Sequence, residues 1–60
     1  MTELAKLRKS KKLRLRHIAE AVGVTPQTVW KHEKLGIKTL RIAKHYAAAL
    51  GCSPTELLDL

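Results

Sequence analysis

LRHIAEAVGVTPQTVWKHE, residues 15–33, is the stretch whose reading decides the fold. Leu15, Ile18, Ala19 and Val22 recur at i, i+3, i+4 and i+7, which predicts a single apolar stripe on a short helix. Gly23 follows the last periodic residue at once. Glycine enters the left-handed conformation that closes a helix without the penalty a Cβ brings. Thr25-Pro26 then opens a second helix. The threonine hydroxyl can cap it, and proline suits the first helical position, where its missing N–H had no partner. Val29 and the residue one turn on, His32, face back toward the first helix. The link around Gly23 is too short for side-by-side antiparallel packing, so the two helices are predicted to cross steeply.

That crossing is the geometry of a helix-turn-helix, whose second helix can project into the major groove of DNA. The spacing adds detail. Ala19 lies four residues before Gly23 and ten before Val29. A small residue is needed where the helices touch, a glycine at the turn, and a branched apolar residue on the inner face of the second helix. On these residues the chain resembles the helix-turn-helix of the Cro and phage-repressor (Xre-like) family. The resemblance runs on through ALG at 49–51 and SPTELL at 53–58, so it covers nearly the whole chain. It implies an all-α, compact five-helix, lambda-repressor-like DNA-binding domain over residues 1–60, with the motif at about 15–34. It also implies a cytoplasmic, bacterial or phage-encoded regulator of repressor type that binds double-stranded DNA as a homodimer on a palindromic operator.

Composition bounds these readings. Sixty residues allow one small core, which is marginally stable by itself. The single cysteine, Cys52, rules out an internal disulfide framework and fits a reducing compartment. No apolar run approaches the ~20 residues of a membrane span, and the N-terminus lacks the apolar block of a signal peptide. The formal net charge is +7, which attracts polyanions. Seven of the twelve Lys and Arg lie within residues 1–16, five within 31–44, and none within 17–30. The helix expected to meet base edges therefore sits between two basic flanks suited to phosphate.

The second helix of the motif is expected to span about Pro26 to Lys34, with Gln27, Thr28 and Lys31 facing outward. Glutamine can bond adenine N6 and N7 together, threonine offers a hydroxyl or a methyl, and lysine favours guanine O6 and N7. The resemblance makes these the base-reading positions, and it places Lys34, Lys38 and Arg41 at phosphates. It further implies that Arg8 pairs with Glu33, tying the first helix to the end of the reading helix.

The chain departs from the family at five places. Position 14, usually a Ser or Thr cap, is Arg14, and position 15, often a glutamine that holds phosphate, is Leu15. Arg14 and Arg16 could reach the backbone instead, since a rigid guanidinium fork suits phosphate. Trp30 stands where the family has a small residue and His32 where it often has an aromatic. Trp30 could pack on DNA sugars, stack on a cation or cover the loop that follows; the DNA-facing rim is the preferred reading. His32 reads as a half-buried packing residue with one hydrogen bond. Gly36, expected to end the reading helix, comes one residue later than the family's glycine.

Thr2, Thr39 and Ser53 are expected caps, the last within the capping box Ser53-Pro54-Thr55-Glu56. Ile42, Ala43, Tyr46, Ala47 and Leu50 form a further core stripe, with the Tyr46 hydroxyl expected at the surface. Ile37, Leu57 and Leu58 are expected to close the core. Leu60 and the chain end are candidates for a dimer contact. The chain could be a complete Cro-sized protein or the DNA-binding part of a longer regulator.

Other classes fit less well. An enzyme would need a nucleophile beside a base, a pair of acids or a phosphate loop, and none appears. His17, His32 and His45 lack a common ligand spacing, so no metal is expected, and neither a cofactor nor a small-molecule ligand is evident. The main alternative is a protein-interaction module, such as an antitoxin or a coactivator-like helix-turn-helix protein. A membrane-active amphipathic element conflicts with Gly23, Pro26 and Pro54, which break the chain into short helices.

Overall fold

The structure, a computed structural model, describes residues 2–59. Four α-helices follow one another: α1 (Glu3–Ser10), α2 (Leu15–Val22), α3 (Pro26–Leu35) and α4 (Leu40–Leu50). The expected fifth helix is instead one turn of 3-10 helix, Pro54–Leu57. Its brevity has a tertiary cause. Leu58 turns extended, at φ −77° and ψ 132°, to form a parallel bridge with Ile37, and Asp59 N donates to Ile37 O at 2.9 Å. A chain committed to that bridge cannot continue as helix. The α3 helix runs one residue beyond the expected Lys34, and Gly36 caps its C-terminus. Leu60 lies outside the described residues.

Threonines cap three of the four helices. The hydroxyls of Thr2, Thr25 and Thr39 accept from Ala5 N, Thr28 N and Ile42 N at 3.3, 3.2 and 3.4 Å. Losing such a cap costs about 1 kcal/mol. The start of α2 is different. Arg14 occupies the cap position, and a guanidinium has no acceptor to offer. His17, three residues on, supplies half of a capping box instead: its Nδ1 accepts from Arg14 N at 3.3 Å. In the Ser53 box the glutamate half is present, Ser53 N donating to Glu56 Oε2 at 2.7 Å.

The core gathers inward positions from every element. Leu4 of α1, Ile18 and Ala19 of α2, Val29 of α3, Ala43, Tyr46 and Ala47 of α4, and Leu57 are all buried, and Ile37 plugs the loop between α3 and α4. Ala19 of α2 and Val29 of α3 are both buried in this core, 2% and 0% exposed. Gly23 sits at φ 87°, and both its N–H and that of Val24 bond Ala19 O, at 2.8 and 3.0 Å. This double closure ends α2 abruptly and sends the chain into α3.

Tyr46 corrects one expectation. Its ring is 2% exposed, and its hydroxyl lies 2.8 Å from His32 Nδ1 rather than at the surface. The two rings meet edge to face with centroids 5.3 Å apart. A buried phenol needs a partner for its O–H, and His32 is that partner.

Candidate nucleic-acid interface

The α3 helix carries two different long faces, and its sequence dictates both. Val29 is buried, while His32, Glu33 and Thr28 are half-buried. Gln27, Trp30, Lys31 and Lys34 stand at i, i+3, i+4 and i+7 and are all exposed. A helical period puts these four on one stripe pointing away from the core.

The inner face is held by α1. Arg8 Nε donates to Glu33 Oε2 at 2.5 Å and Nη2 to Oε1 at 3.2 Å, a forked pair whose side chains are only 19% and 10% exposed. Arg8 Nη1 also donates to Leu13 O at 3.0 Å, so one guanidinium ties α1, the α1–α2 loop and α3 together. Thr2 adds a second tie: its hydroxyl, besides capping α1, donates to Glu33 O at 2.7 Å. The last turn of α3 is therefore gripped through both the backbone and the side chain of Glu33. By contrast, the exposed Lys6–Glu3 pair on α1 contributes little.

The base-reading candidates are not equivalent. Gln27 and Lys31 lie on the exposed stripe one turn apart. Thr28 sits at its flank, and its hydroxyl is 3.0 Å from that of the capping Thr25. Trp30, 52% exposed, stands between Gln27 and Lys31 in the stripe. Lys34 Nζ lies 5.0 Å from the centroid of the Trp30 ring, within cation–π range. Leu15, Pro26, Gln27 and Trp30 line a shallow groove of about 290 Å³ where the first turns of α2 and α3 adjoin.

The phosphate candidates divide in two. Arg14 and Arg16 flank the start of α2 and Arg41 lies in the first turn of α4, all exposed. Among the described residues these three form no ion pair, so their charges face solvent. Lys34 and Lys38 are exposed but engaged, Lys34 over Trp30 and Lys38 donating from Nζ to Asp59 O at 2.6 Å. Both contacts are at the surface, where exchange for a phosphate oxygen is inexpensive in free energy.

Sequence reasoning missed two supporting residues. His17 had a readable signal, an acceptor at the third helical position of a helix lacking a capping side chain. Asp59 had none. Its Oδ1 accepts from Glu3 N at 3.2 Å, placing a carboxylate at the positive end of α1. Only the folded chain brings residues 3 and 59 together.

Titration behaviour fits structural rather than chemical roles. Burial, then the nearby Glu33 carboxylate, push the Tyr46 phenol above its ordinary value. Burial first and the Glu56 charge second raise the Cys52 thiol against a lesser opposing effect of Lys11, so Cys52 stays protonated. Among the described residues no group of three or more His, Cys, Asp or Glu could hold a metal ion, and no helix is long and apolar enough to cross a membrane.

A family model described as helix-turn-helix matches residues 4–57. No curated protein matches the chain, and no solved structure does.

Proposed function

The chain belongs to the helix-turn-helix family of the Cro/C1 type, a family of DNA-binding regulators rather than enzymes, and we propose that it is a sequence-specific transcriptional regulator of repressor type. The observation that carries this reading is the outer stripe of α3: Gln27, Trp30, Lys31 and Lys34 stand exposed on a helix whose other face is pinned to the core and to α1. A helix that reads base edges must be held at a fixed angle on one side and free on the other.

In this reading Gln27 and Lys31 contact bases, Thr28 contributes from the flank, and Arg14, Arg16, Lys34, Lys38 and Arg41 anchor the phosphates on either side. The basic flanks supply sequence-independent affinity and the stripe supplies discrimination. Two copies related by a two-fold axis bind half-sites about 34–36 Å apart, one DNA turn, on a palindromic operator. Repression follows from occupying a promoter. The charge of the stripe favours DNA over a protein partner, because the single acid of α3, Glu33, is taken up by Arg8.

Selection from a random duplex library, followed by salt titration on the selected site and on scrambled DNA, tests the proposal. A palindromic consensus with a large specific-to-random ratio is expected, with log-linear loss of affinity in salt. Gln27→Ala should cost roughly 1–3 kcal/mol on the consensus and relax one base position. Equal losses on consensus and random duplexes would remove Gln27 from the reading set.

A further inference from the structure

We propose that the groove lined by Leu15, Pro26, Gln27 and Trp30 is a seat for the 5-methyl group of a thymine, adding an apolar readout to the polar one. The inference rests on the DNA-binding reading above and deepens it. Leu15 is the first residue of α2 and Pro26 the first of α3, so the groove lies at the edge where the motif's two helices begin. Three of its four lining side chains are apolar, and the fourth is Gln27, the foremost candidate for a base edge. Leu15 of α2 and Trp30 of α3 bring large apolar side chains from two helices into one groove.

The occupant follows from the surrounding charge. Arg14 and Arg16 flank Leu15 in sequence, Lys31 follows Trp30, and all three are exposed. An apolar seat inside a cationic field suits a ligand that carries an apolar group amid negative charge. Duplex DNA presents such a group on the base edges of its major groove, the thymine methyl. Deoxyribose is also apolar in part, but it lies along the backbone, whereas Gln27 directs this groove at the bases. The Lys34 ammonium over the Trp30 ring restrains the indole, so the wall of the seat is in place before DNA arrives.

The test uses the wild-type chain and the duplex selected from the random library. Each thymine is replaced in turn by deoxyuridine, which deletes only the methyl and leaves the sugar and pairing unchanged. Binding is read by titration and by the fluorescence of Trp30, the only tryptophan in the chain. At one thymine per half-site, affinity should fall about three- to fivefold, the effect of exposing one methyl group. The salt slope should not change, because no charge is removed. That loss should vanish in Trp30→Ala and shrink in Leu15→Ala, each checked for folding by circular dichroism. If every deoxyuridine duplex binds like its parent while consensus binding persists, the methyl seat is overturned and the DNA reading survives. A deoxyuridine effect that is unchanged in both variants overturns the placement in this groove. Absence of any specific duplex binding overturns both proposals together.

Discussion

The two faces of α3 differ more than any two elements of the molecule. The inner face is bound at every polar atom that matters: His32 to Tyr46, the Glu33 carboxylate to Arg8, and the Glu33 carbonyl to Thr2. The outer face carries a glutamine, a tryptophan and two lysines directed at solvent. Substitutions on the inner face should therefore act on stability, and those on the outer face on binding. A 60-residue chain has little stability to lose, so the contrast should be sharp.

The largest effect is expected at the forked pair. Glu33→Ala leaves the Arg8 guanidinium largely buried without its counter-charge and should cost about 3–5 kcal/mol, enough to unfold much of the population. Replacing Arg8 and Glu33 together by methionine should cost far less than the sum of the single changes. Denaturant unfolding of the four-member cycle measures this, and an interaction energy near zero would mean that the pair does not lock α1 to α3.

Next come the two glycines that bracket α3. Gly36 sits at φ 85° and ψ 160°, a region open essentially only to glycine, and an added Cβ would lie 2.9 Å from Asp59 Cβ. Gly23 sits at φ 87° and ψ 34°, nearer the ordinary left-handed region, with nothing within 4 Å of such a Cβ. Gly36→Ala should thus destabilise by about 2–3 kcal/mol and Gly23→Ala by roughly 1 kcal/mol. Thermal melts that reverse this order would show that the contact with Asp59 is relieved by a shift of the chain end.

A smaller effect is expected at Tyr46. Removing its hydroxyl in Tyr46→Phe leaves His32 Nδ1 without its partner and should cost about 1 kcal/mol near neutral pH. The pH dependence has a definite sign. Because folding raises the phenol above its ordinary value near 10, the folded chain holds that proton more tightly than the unfolded chain. Stability from this source is complete below pH ~10 and is lost as pH rises through the elevated folded value. The wild type should therefore lose stability on the alkaline side more steeply than Tyr46→Phe, as measured by unfolding across pH 8–11 or so. Parallel alkaline limbs would show that Tyr46 titrates alike in both states.

The smallest stability change should come from the outer face. Lys31→Ala is expected to stay within about 0.5 kcal/mol of wild type in unfolding, as surface substitutions do. The same change should weaken binding to the selected duplex while leaving the fold intact. A large loss of stability without a change in binding would invert the division between the two faces.

Much of this architecture was legible in local pattern. Helical period, Gly23, Thr25-Pro26 and the threonine caps placed the α-helices and the motif because each acts within a few residues of chain. Trp30 was legible as outward-facing for the same reason. The residue contacts that give the site its detail were less accessible. The role of His32 became intelligible only when Tyr46, fourteen residues away, put its hydroxyl against the ring. The fifth helix was overestimated because a capping box and a proline announce a helix start but not its length.

By itself, the sequence determined the helical elements, the short turn at Gly23 between α2 and α3, the outward stripe of α3 and the two basic flanks, since these follow from periodicity, backbone preference and charge along the chain. Only the tertiary structure decided that Lys38 and Asp59 meet across the chain end, that Ile37 pairs with Leu58, and that Leu15 and Trp30 share a groove. These contacts depend on side-chain reach and on the packing of distant segments, where no local pattern singles out one partner among several of equal chemistry.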